Sequence, residues 1–272
     1  MARLRILIVT AAIALCFGLC ATRSFADDEL GAAVTAFDLR QFDQVIAIAN
    51  HMLTRGASVE ALFLRGSAQA AEGRRSGAIG DLTQARDLAI TTNDPMASTL
   101  DKRLVALLID SGALEPALRI YAEAKAAGRT TLDLDSLIST TLEARAGMAV
   151  RLARPAEAAS WLERGGDLVV TRSAELYAEA AQTLIRAPVI DWSRAEWDAD
   201  RALLCDPFAA RAHYVEAEAQ LRRGDRSGGL ARLVFAASLS RGDIELSQAI
   251  DAALGSLTGS GGLPDTAAPA SH

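Results

Sequence analysis

Residues 59–88 read VEALFLRGSAQAAEGRRSGAIGDLTQARDL. Small residues fall at Gly66, Ala68, Ala78 and Ala85, large aliphatic ones at Leu62 and Leu82, and Gly73 divides the stretch. Two antiparallel helices approach closely only where their side chains are small. The order therefore describes a first helix carrying Gly66 and a second carrying Ala78 and Ala85, with Leu62 and Leu82 filling the space between. Gly73 sits where the first helix must end, because glycine tolerates the left-handed conformation that closes a helix.

The same order recurs along the chain. Upstream, Ala33 is followed by Phe42, Val45, Ala49 and Met52; downstream, Gly112 closes a helix before Ala117, Tyr121 and Ala124. A fourth unit has Leu142, Ala146 and Ala149, then Ala158, Leu162 and Gly165. The fifth has Tyr177, Ala181 and Leu184, an insertion from Pro188 to Trp192, then Ala195, Ala199, Ala202 and a closing Pro207. The sixth has Ala217, Gly224, Gly229, Leu233 and Ala236.

On these residues the chain resembles the tetratricopeptide repeat family over roughly Asp27 to Asp243. That family repeats a helix pair, A then B, about every 34 residues. The departures are Arg65 and Gln69, where the family has leucine and tyrosine, and a spacing that drifts in the central units. The resemblance implies an all-α, right-handed superhelical solenoid of about six helix-turn-helix repeats.

Proline checks the assignment independently, since a proline inside a helix costs about 3 kcal/mol or more. Pro95 follows Asp94, a natural N-cap. Pro116 and Pro155 start B helices, Pro188 lies in the insertion, Pro207 at a repeat end, and Pro264 and Pro269 in the tail. No predicted helix is interrupted.

The ends differ from the middle. Arg3 and Arg5, an apolar run from Ile6 to Leu19 and the small-x-small site Ser24-Phe25-Ala26 have the layout of a secretory signal peptide. Residues 1–26 are thus expected to be removed, leaving a protein exported to the periplasm or secreted, in a bacterial setting, without membrane insertion. Retention of that segment as an anchor is the alternative. Leu15 and Leu19 precede Cys16 and Cys20 where a lipoprotein signal needs a small residue. The repeat domain is expected over 27–254, with Ile244 to Leu254 as a capping helix. Residues 255–272, rich in Gly, Ser, Thr, Pro and Ala, are expected to form a disordered tail.

The net charge of −6 becomes −9 once Arg3, Arg5 and Arg23 are removed. An acidic chain argues against a nucleic-acid partner, which needs a concentrated positive face. Beyond Cys20 the one thiol is Cys205, so no internal disulfide is expected, and the run Ala202-Leu203-Leu204-Cys205 reads as a buried helical position. His51, His213 and His272 are isolated, with no cysteine pair or HExxH, so neither metal nor cofactor is expected. Cys205 with His213 is the one pair that invites an enzymatic reading, and nothing visible orients the histidine or supplies an oxyanion site.

The resemblance implies a concave face lined by helix A. Its positions fall on Phe63 and Ser67, Lys102, Glu143 and Arg151, Arg186, and Tyr214 and Arg222, with Glu60, Ala106, Gln182, Arg211 and Glu218 beside them. Positive charge gathers toward the C-terminal half. A protein or peptide ligand, extended, acidic there and with an apolar anchor near Phe63 or Tyr214, is the expected partner. Some family members grip a terminal carboxylate with paired lysines and asparagines; Asn50 and Asn93 lie off this face. The expected role is a non-catalytic adaptor of the bacterial cell envelope. The alternative is a membrane-tethered subunit of a secretion or pilus assembly.

Overall fold

The computed structural model describes residues 28–259; the signal segment expected at 1–26 and residues 260–272 lie outside them. The described residues are helical throughout, without a strand. Helix α1 covers 28–38. It is followed by α2 (Phe42–Thr54), α3 (Val59–Ala71), α4 (Arg75–Thr92), α5 (Ala97–Asp110), α6 (Leu114–Ala126) and α7 (Leu132–Arg151). Then come α8 (Pro155–Leu168), a 3₁₀ turn (Val170–Arg172), α9 (Ser173–Ile185), α10 (Trp192–Cys205), α11 (Ala210–Arg222), α12 (Arg226–Leu239) and α13 (Ile244–Gly259). Odd-numbered helices α1 to α11 are the six A helices and even-numbered ones the six B helices.

Each pair forms where the small residues were read. Gly66 on α3 is pressed so closely on α4 that an added Cβ would meet Leu82 Cγ at 3.0 Å and the Ala78 carbonyl at 3.3 Å. Gly229 on α12 stands in the same relation to α11, where a Cβ would meet the Ala217 carbonyl at 3.2 Å. Ala78, Ala85, Ala117, Ala124, Ala158, Ala195, Ala199, Ala202 and Ala236 are wholly buried. The two departures at Arg65 and Gln69 have a common cause. Asp81 on α4 is buried, and its carboxylate accepts from Arg65 Nε and Nη2 (2.7 and 2.6 Å) and from Gln69 Nε2 (3.1 Å).

Helix ends are chemically marked. Ser58, Asp191, Asp225 and Asp243 side chains accept the backbone N–H three residues on, satisfying donors that a helix start leaves open. Gly73 closes α3 at φ +78° and Gly112 closes α5 at φ +77°. Pro155 opens α8. Asp94 Oδ1 accepts from Met96 N–H at 2.8 Å, so α5 starts at Ala97, two residues later than a cap at Asp94 implies.

The chain divides into two compact units whose boundary falls in the first turn of α7, 28–134 and 135–259 among the described residues. In the first, Ala33, Ala36, Val45, Leu64 and Ala68 form a cluster closed by an edge-on Phe37–Phe42 pair. In the second, Ala146, Leu162, Leu176, Tyr177, Ala181 and Val215 belong to one core, and Ala217, Leu233, Leu246 and Ile250 to another that seats α13 on α12. Two expectations are corrected. Helix α13 runs to Gly259, past Leu254, because Gly255 lies within a helix whose Leu246 and Ile250 are already anchored. Cys205 is exposed, because α10 ends there and the chain turns away through Pro207.

Candidate functional site

In the first unit, Phe63 is half-buried on α3. Ser67, one turn further on, is buried with a hydroxyl that makes no hydrogen bond. Lys102 on α5 donates to Asp133 at 2.6 Å, and this bond and charge hold the Asp133 carboxyl below its usual range.

The second unit carries a groove. Two cavities of about 530 and 590 Å³ lie side by side along α9, with Glu179 and Arg211 lining both. The α9 floor is small at Ala174 and Ala178 and carries Glu175, Glu179, Gln182 and Arg186 at helical spacing. Helix α7 supplies Glu143, Gly147, Val150 and Arg151 as one wall. The starts of α11 and α13 supply Arg211, Asp243, Glu245 and Leu246 as the other. Of the expected positions, Glu143, Arg151 and Arg186 meet here, with Gln182 and Arg211.

The expected excess of positive charge is largely spent inside the groove. Arg172 lies 2.6 Å from Glu143 and 2.8 Å from Glu175, Arg211 lies 2.7 Å from Asp243, and Arg186 lies 2.6 Å from Glu245. Burial alone would raise the Asp243 carboxyl, but the Leu246 N–H and the Arg211 guanidinium hold it below the usual range. Glu179 differs. Burial raises its carboxyl, with Arg211 opposing. Gln182, 3% exposed, has an Nε2 for which no protein group serves as acceptor.

Tyr214 is half-buried on α11 and packs against the cluster of Leu246 and Ile250. Burial and the neighbouring Glu218 push its phenol up to about 12. Arg222 lies with its guanidinium 5.2 Å from the centre of the Trp192 ring and lines neither cavity. Sequence reasoning missed Gly147 and Glu179. Glu179 stands three residues before Gln182 on the same helical face, which is the signal that would have found it.

The Cys205 and His213 pair shows no catalytic arrangement. His213 Nε2 lies 2.9 Å from the Pro207 carbonyl, Nδ1 lies 3.4 Å from Arg232 Nη1, and the ring packs edge-on against Phe235. Both ring nitrogens thus have structural partners. Among the described residues no group of three or more His, Cys, Asp or Glu side chains could hold a metal ion. Among the same residues, no helix is long and apolar enough to cross a membrane.

No family model and no curated protein matches the chain. Solved structures do. A TPR (tetratricopeptide) repeats protein from Bacteroides fragilis matches at 13% identity with a TM-score of 0.52, over 85% of this chain and 98% of its own. The TPR2AB domain of yeast Sti1, solved in complex with pHSP90, matches at 19% identity and a TM-score of 0.38, over 86% and 99%. YrrB, a TPR protein described as having an unusual peptide-binding site, matches at 16% and 0.36, over 75% and 97%. At these identities the likeness is one of fold: the chain has the all-α, paired-helix repeat fold of tetratricopeptide proteins.

Proposed function

We propose that the protein is a non-catalytic interaction scaffold that holds a segment of a partner protein in the groove of its second unit. The observation that carries this is the groove itself. Its two adjacent cavities are lined largely by α7, α9 and the start of α11, with small residues at Ala174, Ala178 and Gly147 beside polar groups. A cleft of that size, with a few convergent polar groups, is the usual form of a binding site, and an extended segment needs only about 3.3 Å of length per residue. The partner is a protein or peptide rather than a nucleic acid, given the acidic chain and the acid-paired arginines. The N-terminal layout supports export to a bacterial periplasm. Mass spectrometry of the protein from its own cells then finds a chain beginning at Asp27; an intact N-terminus in the membrane fraction would instead support the tethered subunit.

Gly147 offers a direct test. A Cβ there would have only Arg151 Nη1 within 4 Å, at 3.7 Å, so a side chain can enter the groove without displacing backbone. Gly147→Arg is expected to weaken peptide capture at least about tenfold, roughly 1.4 kcal/mol, while thermal unfolding stays in place. Capture that survives the substitution removes the groove as the binding surface.

A further inference from the structure

The groove offers more than room. We propose that Gln182 and Glu179, one turn apart on α9, read the main chain of an extended partner peptide, Gln182 Nε2 donating to a ligand C=O and Glu179 accepting from a ligand N–H. This rests on the groove being the binding surface, and it names what that surface recognises: a polypeptide backbone rather than a particular side chain.

Three observations converge. Gln182 lines the groove yet is 97% covered, and its amide nitrogen finds no protein acceptor. A buried donor left without a partner is rare in folded proteins and works against stability. The terminal torsion of a glutamine is soft, so the amide can turn its donor toward a ligand at little cost. Second, Glu179 lies in both cavities, at the centre of the groove, and makes no hydrogen bond among the described residues, while the other acids around it are engaged by Arg172, Arg211 and Arg186. Third, the floor beside these two is Ala174 and Ala178, with Gly147 on the facing helix, so a backbone can come close.

The chemistry selects the ligand class. A residue in extended conformation sends its own N–H and C=O to the same edge of the chain. One donor and one acceptor three residues apart on a helix, side chains about 5–6 Å apart at Cβ, are complementary to that edge. A small carboxylate ligand would meet Glu179 as a like charge, and an apolar helix would leave both polar groups unsatisfied. An extended peptide satisfies both.

The test uses the full chain and an array of synthetic 12-residue peptides of random sequence, scored by fluorescence anisotropy. The tightest binder is then remade with each main-chain N–H methylated in turn. Gln182→Met keeps volume and removes the donor, so it is expected to weaken binding at least tenfold while raising the Tm by about 2–4 °C. A merely structural glutamine would instead lower the Tm on substitution. Methylating one particular N–H is expected to weaken binding about tenfold to the unsubstituted protein and to have no further effect on Glu179→Leu, the signature of a shared contact. If Gln182→Met binds within twofold of the parent while Gly147→Arg abolishes binding, the main-chain contact is overturned and the scaffold reading stands. Binding indifferent to Gly147→Arg overturns the groove itself, and an array without a binder overturns both.

Discussion

Gly66 shows how a single atom decides whether two helices pair. Alanine there gains about 1 kcal/mol of helix propensity, but its Cβ would stand 3.1 Å from Asp81 Cβ and 3.3 Å from the Ala78 carbonyl, and overpacking of that kind costs about 1–3 kcal/mol. Valine adds two branches. Gly66→Val is therefore expected to lose about 2–3 kcal/mol in urea unfolding followed by circular dichroism; undiminished stability would mean that α3 and α4 do not approach closely here. Gly66 was legible because a small residue is required wherever backbones meet. Arg65 and Gln69 were not, since their reason is the buried carboxylate of Asp81 on the next helix. Gln182, which lines the groove, was among the helix A positions that the resemblance implied, but its lack of a partner depends on neighbours that no local pattern specifies.

Two buried aspartates, one in each unit, behave oppositely. Asp101 on α5 is fully covered, and its oxygens accept from Arg86 Nε and from Arg129 Nε at 2.5 and 2.8 Å, tying α4 to α5 and to the turn after α6. Asp198 on α10 is equally covered, yet neither oxygen finds a donor. Its neighbour Glu163 on α8 is already gripped by Arg194 Nε and Nη2, at 2.5 and 2.8 Å. Burial first, then the Glu163 carboxylate, push Asp198 up to about 8, against Arg194 and Arg201. A proton on Asp198 is then the group that can link the two carboxyls. With a folded-state pKa above the unfolded value of about 3.9, the stabilisation is fully present below pH ~4 and is lost as pH rises through about 8. The slope is at most about 1.4 kcal/mol per pH unit. Asp198→Asn keeps a donor toward Glu163 without the proton, so its tryptophan-monitored urea midpoint is expected to vary less between pH 5 and 8. An undiminished slope would assign the dependence to another group. The B-helix pattern of Ala195, Ala199 and Ala202 was plain in the sequence, whereas nothing in that pattern marks the aspartate between them as buried.

Across the described residues, the six helix pairs fall where spacing put them and no proline interrupts a helix, Pro95 alone lying two residues before the helix it was expected to open, because a period repeated six times outweighs any one ambiguous residue. The end of α13 and the exposure of Cys205 were lost for the opposite reason: each depends on where one helix stops. The distribution of aromatic residues also offers a test of cooperativity. Trp161, Trp192 and Trp197 all lie in the second unit, so tryptophan emission follows that unit alone while circular dichroism follows both. Stability in stacked repeats is a sum of local terms, and removing one partner of a buried ion pair costs about 3–5 kcal/mol. Asp101→Ala is expected to move part of the dichroism transition to lower urea and leave the emission midpoint in place; coincident shifts would show that the molecule unfolds as one. The exposed thiol at the end of α10 has a practical value of its own. Cys205 is adjacent to Asp206, which lines the groove. A polarity-sensitive dye coupled there through a maleimide would stand at the rim and change colour as the groove fills, so occupancy could be followed optically before any ligand has been identified.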